Sequence, residues 1–138
     1  MASERVFFDT NILFYALDRS AGEKHEKAVT MVKRAWSGEI LPIISVQVLQ
    51  ELFVNLAKKL PTAVEAKSIV MDYLAWQVIE NDRGLFLDAL EVTERFQLSF
   101  WDASIVAAAQ RSKAKRLMTE DLNHGQFFGS LEVMNPFK

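Results

Sequence analysis

Four carboxylates in this sequence have neighbours that could put them to chemical use. Asp9 directly follows the apolar run Val6-Phe-Phe, and Glu51 sits within Val48-Leu-Gln-Glu51-Leu. Asp102 lies within Phe100-Trp-Asp102-Ala, and Asp121 follows Leu117-Met-Thr-Glu. The chain has no cysteine and only two histidines, His25 and His124, which excludes thiolate catalysis and Cys- or multi-His metal sites. Any bound metal is therefore expected to be a hard ion with oxygen ligands, Mg2+ or Mn2+. Four carboxylates at one place can hold one such ion, or two about 4 Å apart, an arrangement that serves phosphodiester cleavage. Without a cation they repel one another and raise their own pKa values.

Each acid also has an ordinary structural explanation. Asp9-Thr10-Asn11 can cap a helix, and Ser99-Phe-Trp-Asp102 matches a capping box with Asp in the Glu/Gln place. Thr119-Glu-Asp121 reads as a polar turn, and Glu51 as a solvated helix residue. Capping gives no reason for four distant acids to meet, whereas metal binding does.

The elements that must position them alternate between short apolar runs and longer helical patterns. Strands are expected at 5–8, 41–44, 77–79, 115–118 and 131–133. Helices are expected at 12–17, 23–36, 46–59, from Thr62 to about Ala75, 83–96 and 100–112. Ala28, Val29, Val32 and Trp36 read as the inward face of the second helix. Val46, Leu49, Phe53 and Leu56 read as that of the third, with Glu51 on the margin. Gly38 is the expected helix stop, and Ser45 the cap of the helix from Val46. Strands that are almost wholly apolar and separated by helices imply a parallel sheet covered on both faces. The expected fold is thus α/β, a three-layer α/β/α sandwich around about five parallel strands. Ligands of such folds bind beyond the carboxyl ends of the strands, where strand order reverses.

The 138 residues suit one domain spanning 1–138, and half are apolar, enough for a core without staples. The start, Met-Ala-Ser-Glu-Arg, fits neither a signal peptide nor a membrane span, so a soluble, cytoplasmic protein is expected. A net charge of −2 argues against a general nucleic-acid coating protein. It leaves room for a nuclease with a local basic patch, for which Lys58, Lys59, Arg111, Lys113, Lys115 and Arg116 are candidates; a solvated basic surface explains them equally. His25 and His124 read as surface or loop residues. Trp36, Trp76 and Trp101 read as core or dimer-contact residues, and Phe14, Tyr15, Phe53 and Leu56 as core or groove-facing ones.

Taken in order, Phe-Phe-Asp9-Thr-Asn11, Val-Leu-Gln-Glu51-Leu, Phe-Trp-Asp102-Ala and Met-Thr-Glu-Asp121-Leu resemble the PIN-domain family over essentially the whole chain. The resemblance implies a Mg2+/Mn2+-dependent nuclease acting mainly on RNA, with Asp9, Glu51, Asp102 and Asp121 as its acidic quartet. Asp9, Asp102 and Asp121 would hold the main ion directly or through water, and Glu51 would position or deprotonate the attacking water. Asn11 matches the residue that orients the first aspartate, and Thr119 the hydroxyl beside the last. A compact chain of this length looks most like a VapC-type toxin, implying an RNA substrate, a cognate antitoxin and a homodimer. The pattern departs where many relatives carry a further acid two positions after the last aspartate, since this chain has Asn123 there. Glu120 is the nearest substitute, although adjacent side chains seldom point the same way.

Two other readings remain open from the residues alone. An aspartyl-phosphate-forming phosphohydrolase would use Asp9 as nucleophile but normally needs an acid where Asn11 stands. A non-catalytic α/β domain would use the carboxylates only to bind an ion or partner.

Overall fold

The apolar run ending at Asp9 forms the centre of the sheet. In the computed structural model, which describes residues 3–138, β1 spans Glu4–Phe8 and its last three residues are fully buried. The first two positions of the expected domain lie outside the described residues. Flanking β1 are β2 (Ile40–Ser45) and β4 (Arg116–Met118), both parallel to it. β3 (Gln77–Ile79) lies outside β2, and β6 (Leu131–Met134) outside β4, again parallel. β5 (Phe127–Phe128) closes the far edge antiparallel to β6, giving the order β3-β2-β1-β4-β6-β5.

The sheet therefore has six strands instead of about five. The added one is a hairpin arm turned by Gly129-Ser130, where Gly129 takes the left-handed φ of 64°. Only glycine adopts that conformation without steric cost.

Connections follow the hydrophobic periodicity. α1 (Thr10–Leu17) and α2 (Glu23–Trp36) join β1 to β2, with a short 3-10 turn at Arg19–Ala21 between them. α3 (Val46–Lys59) and α4 (Ala63–Asp72) lead to β3, α4 tightening into a 3-10 turn at Tyr73–Ala75. α5 (Arg83–Phe96) and α6 (Phe100–Arg111) carry the chain across the sheet to β4. α1 packs on α2 and α3, α3 on α4, and α5 on α6. Ser45 caps α3 through the Val48 N–H, Thr62 caps α4, and Asp82 caps α5. Gly38, at φ 84°, ends α2 as expected.

Two expected helix faces are rotated. On α2 the buried positions are Ala28, Val32 and Ala35, while Trp36 is 48% exposed and covers Tyr73 and Trp76 at the sheet margin. On α3 they are Val48, Leu52 and Leu56 with Gln47, whereas Phe53 is exposed. α3 is apolar over most of its circumference, so periodicity alone left its orientation undetermined; the i, i+4, i+8 row facing the sheet prevails. Of the three tryptophans, Trp76 is buried and Trp101 is exposed.

From β1 the chain moves outward to β2 and β3, then returns to place β4 on β1's other side. Strand order reverses between β1 and β4, and their carboxyl ends open on the same edge. The ladder continues one step further there, with Asp9 N–H donating to the Met118 carbonyl.

Candidate active site

Asp9 is the first residue past β1 and also the N-cap of α1. Its Oδ1 accepts from the Thr10 N–H at 2.7 Å, and its Oδ2 from the Thr119 hydroxyl at 2.8 Å and the Asn11 amide at 3.3 Å. Capping α1 and joining the acidic network thus coexist in one side chain. Burial pushes the Asp9 carboxyl up to about 7; the bonds from Thr119 and Thr10 oppose the rise, and the charges of Asp121 and Glu51 add to it.

Asp121 is coupled to Asp9 through two intermediaries. Asn11 Nδ2 donates to Asp121 Oδ2 at 3.0 Å as well as to Asp9. The fully buried Thr119 hydroxyl, which donates to Asp9, accepts from the Asp121 N–H at 3.0 Å. Both carboxylates are thereby brought within reach of a single amide nitrogen. Desolvation raises the Asp121 pKa, and the charges of Asp102, Glu120 and Glu51 raise it further against the Asn11 bond.

Glu51 enters from α3. The orientation that buries Val48 and Leu52 turns Glu51 and Gln47 toward α1, where the Thr10 hydroxyl donates to Glu51 Oε1 at 2.6 Å. Gln47 Nε2 donates to Glu51 Oε2 and to the Trp101 carbonyl, both at 3.3 Å, tying α3 to the start of α6. Glu51, Thr10, Asp9, Asn11 and Asp121 therefore form one continuous hydrogen-bonded chain.

Asp102 stands in the first turn of α6, where Ser99 Oγ accepts from its backbone N–H at 3.2 Å. The reciprocal half of a capping box is missing, since the half-buried Asp102 carboxylate makes no hydrogen bond among the described residues. It is near enough to Asp121 to raise that group's pKa.

A groove of about 710 Å³ opens over this network, lined by Asp9, Asn11, Glu51 and Asp121 with Phe14, Tyr15, Val54 and Trp101 among its walls. Among the described residues no Lys, Arg or His lines it. Its anionic donors are the carboxylates of Asp9, Glu51 and Asp121, beside neutral amides and hydroxyls, and among the described residues no cation in the walls balances them, which fits a hard divalent ion held largely through water. Among the described residues no three Asp, Glu, His or Cys side chains are grouped to hold an ion. Asp9 and Asp121, sharing Asn11, are the pair best disposed to bind directly.

The basic candidates are placed differently. Lys115 and Arg116 lie at the amino end of β4, opposite the acid edge, and Arg111 and Lys113 at or just beyond the far end of α6. Arg111 pairs with Asp82 at 2.8 Å, Arg116 with Glu4 at 2.8 Å, and Lys59 with Asp18 at 2.8 Å. Lys58 is exposed and has no ion pair among the described residues. It sits seven residues beyond Glu51, which brings it back to the same helix face about 10 Å along the axis. His25 Nδ1 bonds the Tyr15 carbonyl at 2.8 Å, and His124 Nδ1 accepts from the Asn135 N–H at 3.0 Å, so both histidines serve the local fold.

Sequence reasoning passed over Thr10 and Gln47 as supports for Glu51. Thr10 carried a signal, since a hydroxyl directly after a strand-end aspartate has few places to point except the same edge. Gln47 carried none until the rotation of α3 was known. Glu120 turns away from the groove, its Oε1 accepting from the Tyr15 hydroxyl and Lys24.

Comparison with known proteins matches residues 6–127 to the sequence model of the PIN domain. No curated protein sequence matches the chain. Among solved structures, a toxin–antitoxin complex from Klebsiella pneumoniae superposes with a TM-score of 0.69 at 24% identity, covering 96% of this chain and 98% of that one. The Mycobacterium tuberculosis VapC20, described as a sarcin–ricin loop cleaving toxin, gives 0.62 at 23% identity, covering 81% and 86%. VapBC2 from Rickettsia felis, bound to a promoter DNA fragment, gives 0.65 at 18% identity, covering 95% and 98%.

Proposed function

The chain belongs to the PIN-domain family, and on that premise we propose that it is a Mg2+- or Mn2+-dependent endoribonuclease, the toxin of a type II toxin–antitoxin pair. The observation carrying this reading is the hydrogen-bonded run Glu51–Thr10–Asp9–Asn11–Asp121 at the reversal point of the sheet, in a groove that no cation lines among the described residues. The likeness of the whole fold to toxin–antitoxin structures supports the biological role.

Asp9 and Asp121 would hold the ion directly, with Asp102 acting through water. The bound ion would supply an acidified water and neutralise charge developing on the phosphate. Asn11 and Thr119 keep the two aspartates in register before substrate arrives, so little reorganisation is left for the reaction. Glu51, fixed by Thr10 and Gln47, is placed to orient the attacking water and take its proton. Its second oxygen bonds only the Gln47 amide, at 3.3 Å, which leaves acceptor capacity for that proton. Attack in line would yield 3′-hydroxyl and 5′-phosphate ends. Lys58 extends the groove face of α3 and would meet the RNA backbone. A cytoplasmic homodimer of single PIN domains spanning 1–138, silenced by a cognate antitoxin, completes the proposal.

An aspartyl-phosphate mechanism finds no support at Asn11, whose amide is engaged with both aspartates. The deciding experiment incubates purified protein with labelled structured RNA in Mn2+ or EDTA, beside Asp9→Ala. Cleavage that needs both metal and Asp9 is expected. Equal cleavage by Asp9→Ala, or 2′,3′-cyclic phosphate ends, would overturn the reading.

A further inference from the structure

Glu120 adjoins Asp121 yet takes no part in the groove. Its Oε1 accepts from the Tyr15 hydroxyl at 3.1 Å and from Lys24 Nζ at 3.3 Å, while its Oε2 is buried with no partner among the described residues. The support of this carboxylate therefore rests on one oxygen and two donors. Lys24 is held in turn over the faces of Tyr15 and Phe137, 5.1 and 5.6 Å from the ring centroids. Those two rings meet edge to face at 5.4 Å. Residues from α1, α2, the loop after β4 and the C-terminal segment thus converge on one side chain.

The backbone of Glu120 has a second contact, its N–H donating to Asn11 Oδ1 at 3.4 Å. That bond and the two carboxylates favour the same orientation of the Asn11 amide. With Oδ1 turned to Glu120, Nδ2 is left to donate to Asp9 and Asp121. An amide flipped the other way would set an oxygen against two carboxylates.

From this we infer that Lys24 and Glu120 form a positioning clamp, built outside the groove, that fixes the orientation of Asn11 and through it the spacing of Asp9 and Asp121. Lys24 is a positioning residue because it acts through Glu120 and Asn11 and touches neither groove acid. Removing its charge leaves a largely buried carboxylate with a single hydroxyl donor, and the loop carrying Asp121 must shift to hydrate it. Supporting contacts of this kind typically change metal affinity or activity by about 10- to 100-fold. The metal-affinity and kinetic parts of the inference rest on the nuclease reading; the orientation of Asn11 does not.

The test compares wild type, Lys24→Met, Lys24→Arg and Lys27→Met, the last removing a lysine whose ion pair among the described residues is with Glu23. The first readout is the side-chain amide proton pair of Asn11, assigned by its loss in Asn11→Asp, with no metal present. The second is Mn2+ affinity by calorimetry, and the third kcat and KM on RNA. Lys24→Met is expected to move the Asn11 pair, weaken Mn2+ about tenfold and lower kcat with KM little changed. Lys24→Arg should restore all three, and Lys27→Met should alter none. Should Lys24→Met fail to fold, Tyr15→Phe removes the other donor while keeping the ring, and the Asn11 pair must still move. An unmoved Asn11 pair with wild-type Mn2+ affinity in the folded variant overturns the clamp. If the pair responds but even wild type cleaves no RNA, the clamp stands and the nuclease reading falls.

Discussion

Replacing Asp9 by Asn removes the most perturbed acid at the groove while keeping its shape. The Asp9 carboxyl is raised from 3.8 to about 7 by burial, so the folded protein retains a proton that the unfolded chain has lost between those pH values. The stabilisation linked to that proton is complete below about pH 4 and is lost as pH rises through about 7. A shift of roughly three units corresponds to about 4 kcal/mol of unfavourable ionisation at pH 8 in the absence of metal. Asn avoids this cost and still accepts from the Thr10 N–H, but it forfeits a charge-assisted bond from Thr119 worth about 2 kcal/mol. In EDTA at pH 8 the variant should therefore be more stable than wild type by about 2 kcal/mol, near a 1 M rise in urea midpoint. At pH 4 the order should reverse, because only the weakened hydrogen bond remains. Mn2+ at 100 times its dissociation constant should then add about 2.7 kcal/mol to wild type and little to the variant. Urea titrations at pH 4, 6 and 8, with EDTA or Mn2+, measure each arm. A variant less stable than wild type at pH 8 in EDTA, or a difference that does not change with pH, would refute the reasoning.

Thr119→Val deletes a fully buried hydroxyl that serves Asp9 and Asp121 together; a loss of about 2 kcal/mol is expected in urea unfolding, and an unchanged midpoint would deny the hydroxyl its bridging role. Thr10→Val removes the 2.6 Å bond that fixes Glu51, and kcat should fall at least tenfold, about 1.4 kcal/mol of activation free energy, with Mn2+ affinity retained because Glu51 is outside the direct ligand pair. Lys58→Ala should flatten the salt dependence of RNA binding by about 0.7 in log–log slope. Arg111→Ala should leave that slope alone while lowering the thermal midpoint, since Arg111 is engaged with Asp82 and Asp88.

Asp9, Asp102 and Asp121 stood out in the sequence because each sits where an apolar run ends or a helix begins, and parallel α/β architecture sends those points to one edge; Glu51, about a turn and a half into α3, reaches it only through the roll of that helix. Their supports were legible only in part. Asn11 and Thr119 stood beside an aspartate in the sequence, whereas Gln47 became relevant once α3 rolled to bury Val48 and Leu52. The basic residues stayed ambiguous for a related reason. A charge in a sequence shows no counter-ion, and the partner of Arg111 lies 29 residues away at Asp82. The strand at Phe127–Phe128 was too brief for any periodicity to register, yet Gly129-Ser130 between Phe128 and Leu131 was a hairpin signal. Trp36 followed helical spacing on paper, but at the last turn of α2 its ring covers Tyr73 and Trp76 from outside.

The margins of the sheet also bear on how the protein meets other chains. One border strand has three residues and the other two, and Pro42 supplies no N–H where β2 extends past β3. Neither flank offers a run of open amides long enough to template a foreign strand. Self-association by strand addition, the usual hazard of an open sheet, is thereby discouraged, and companions are steered toward helical surfaces, where side chains rather than backbone choose who may dock.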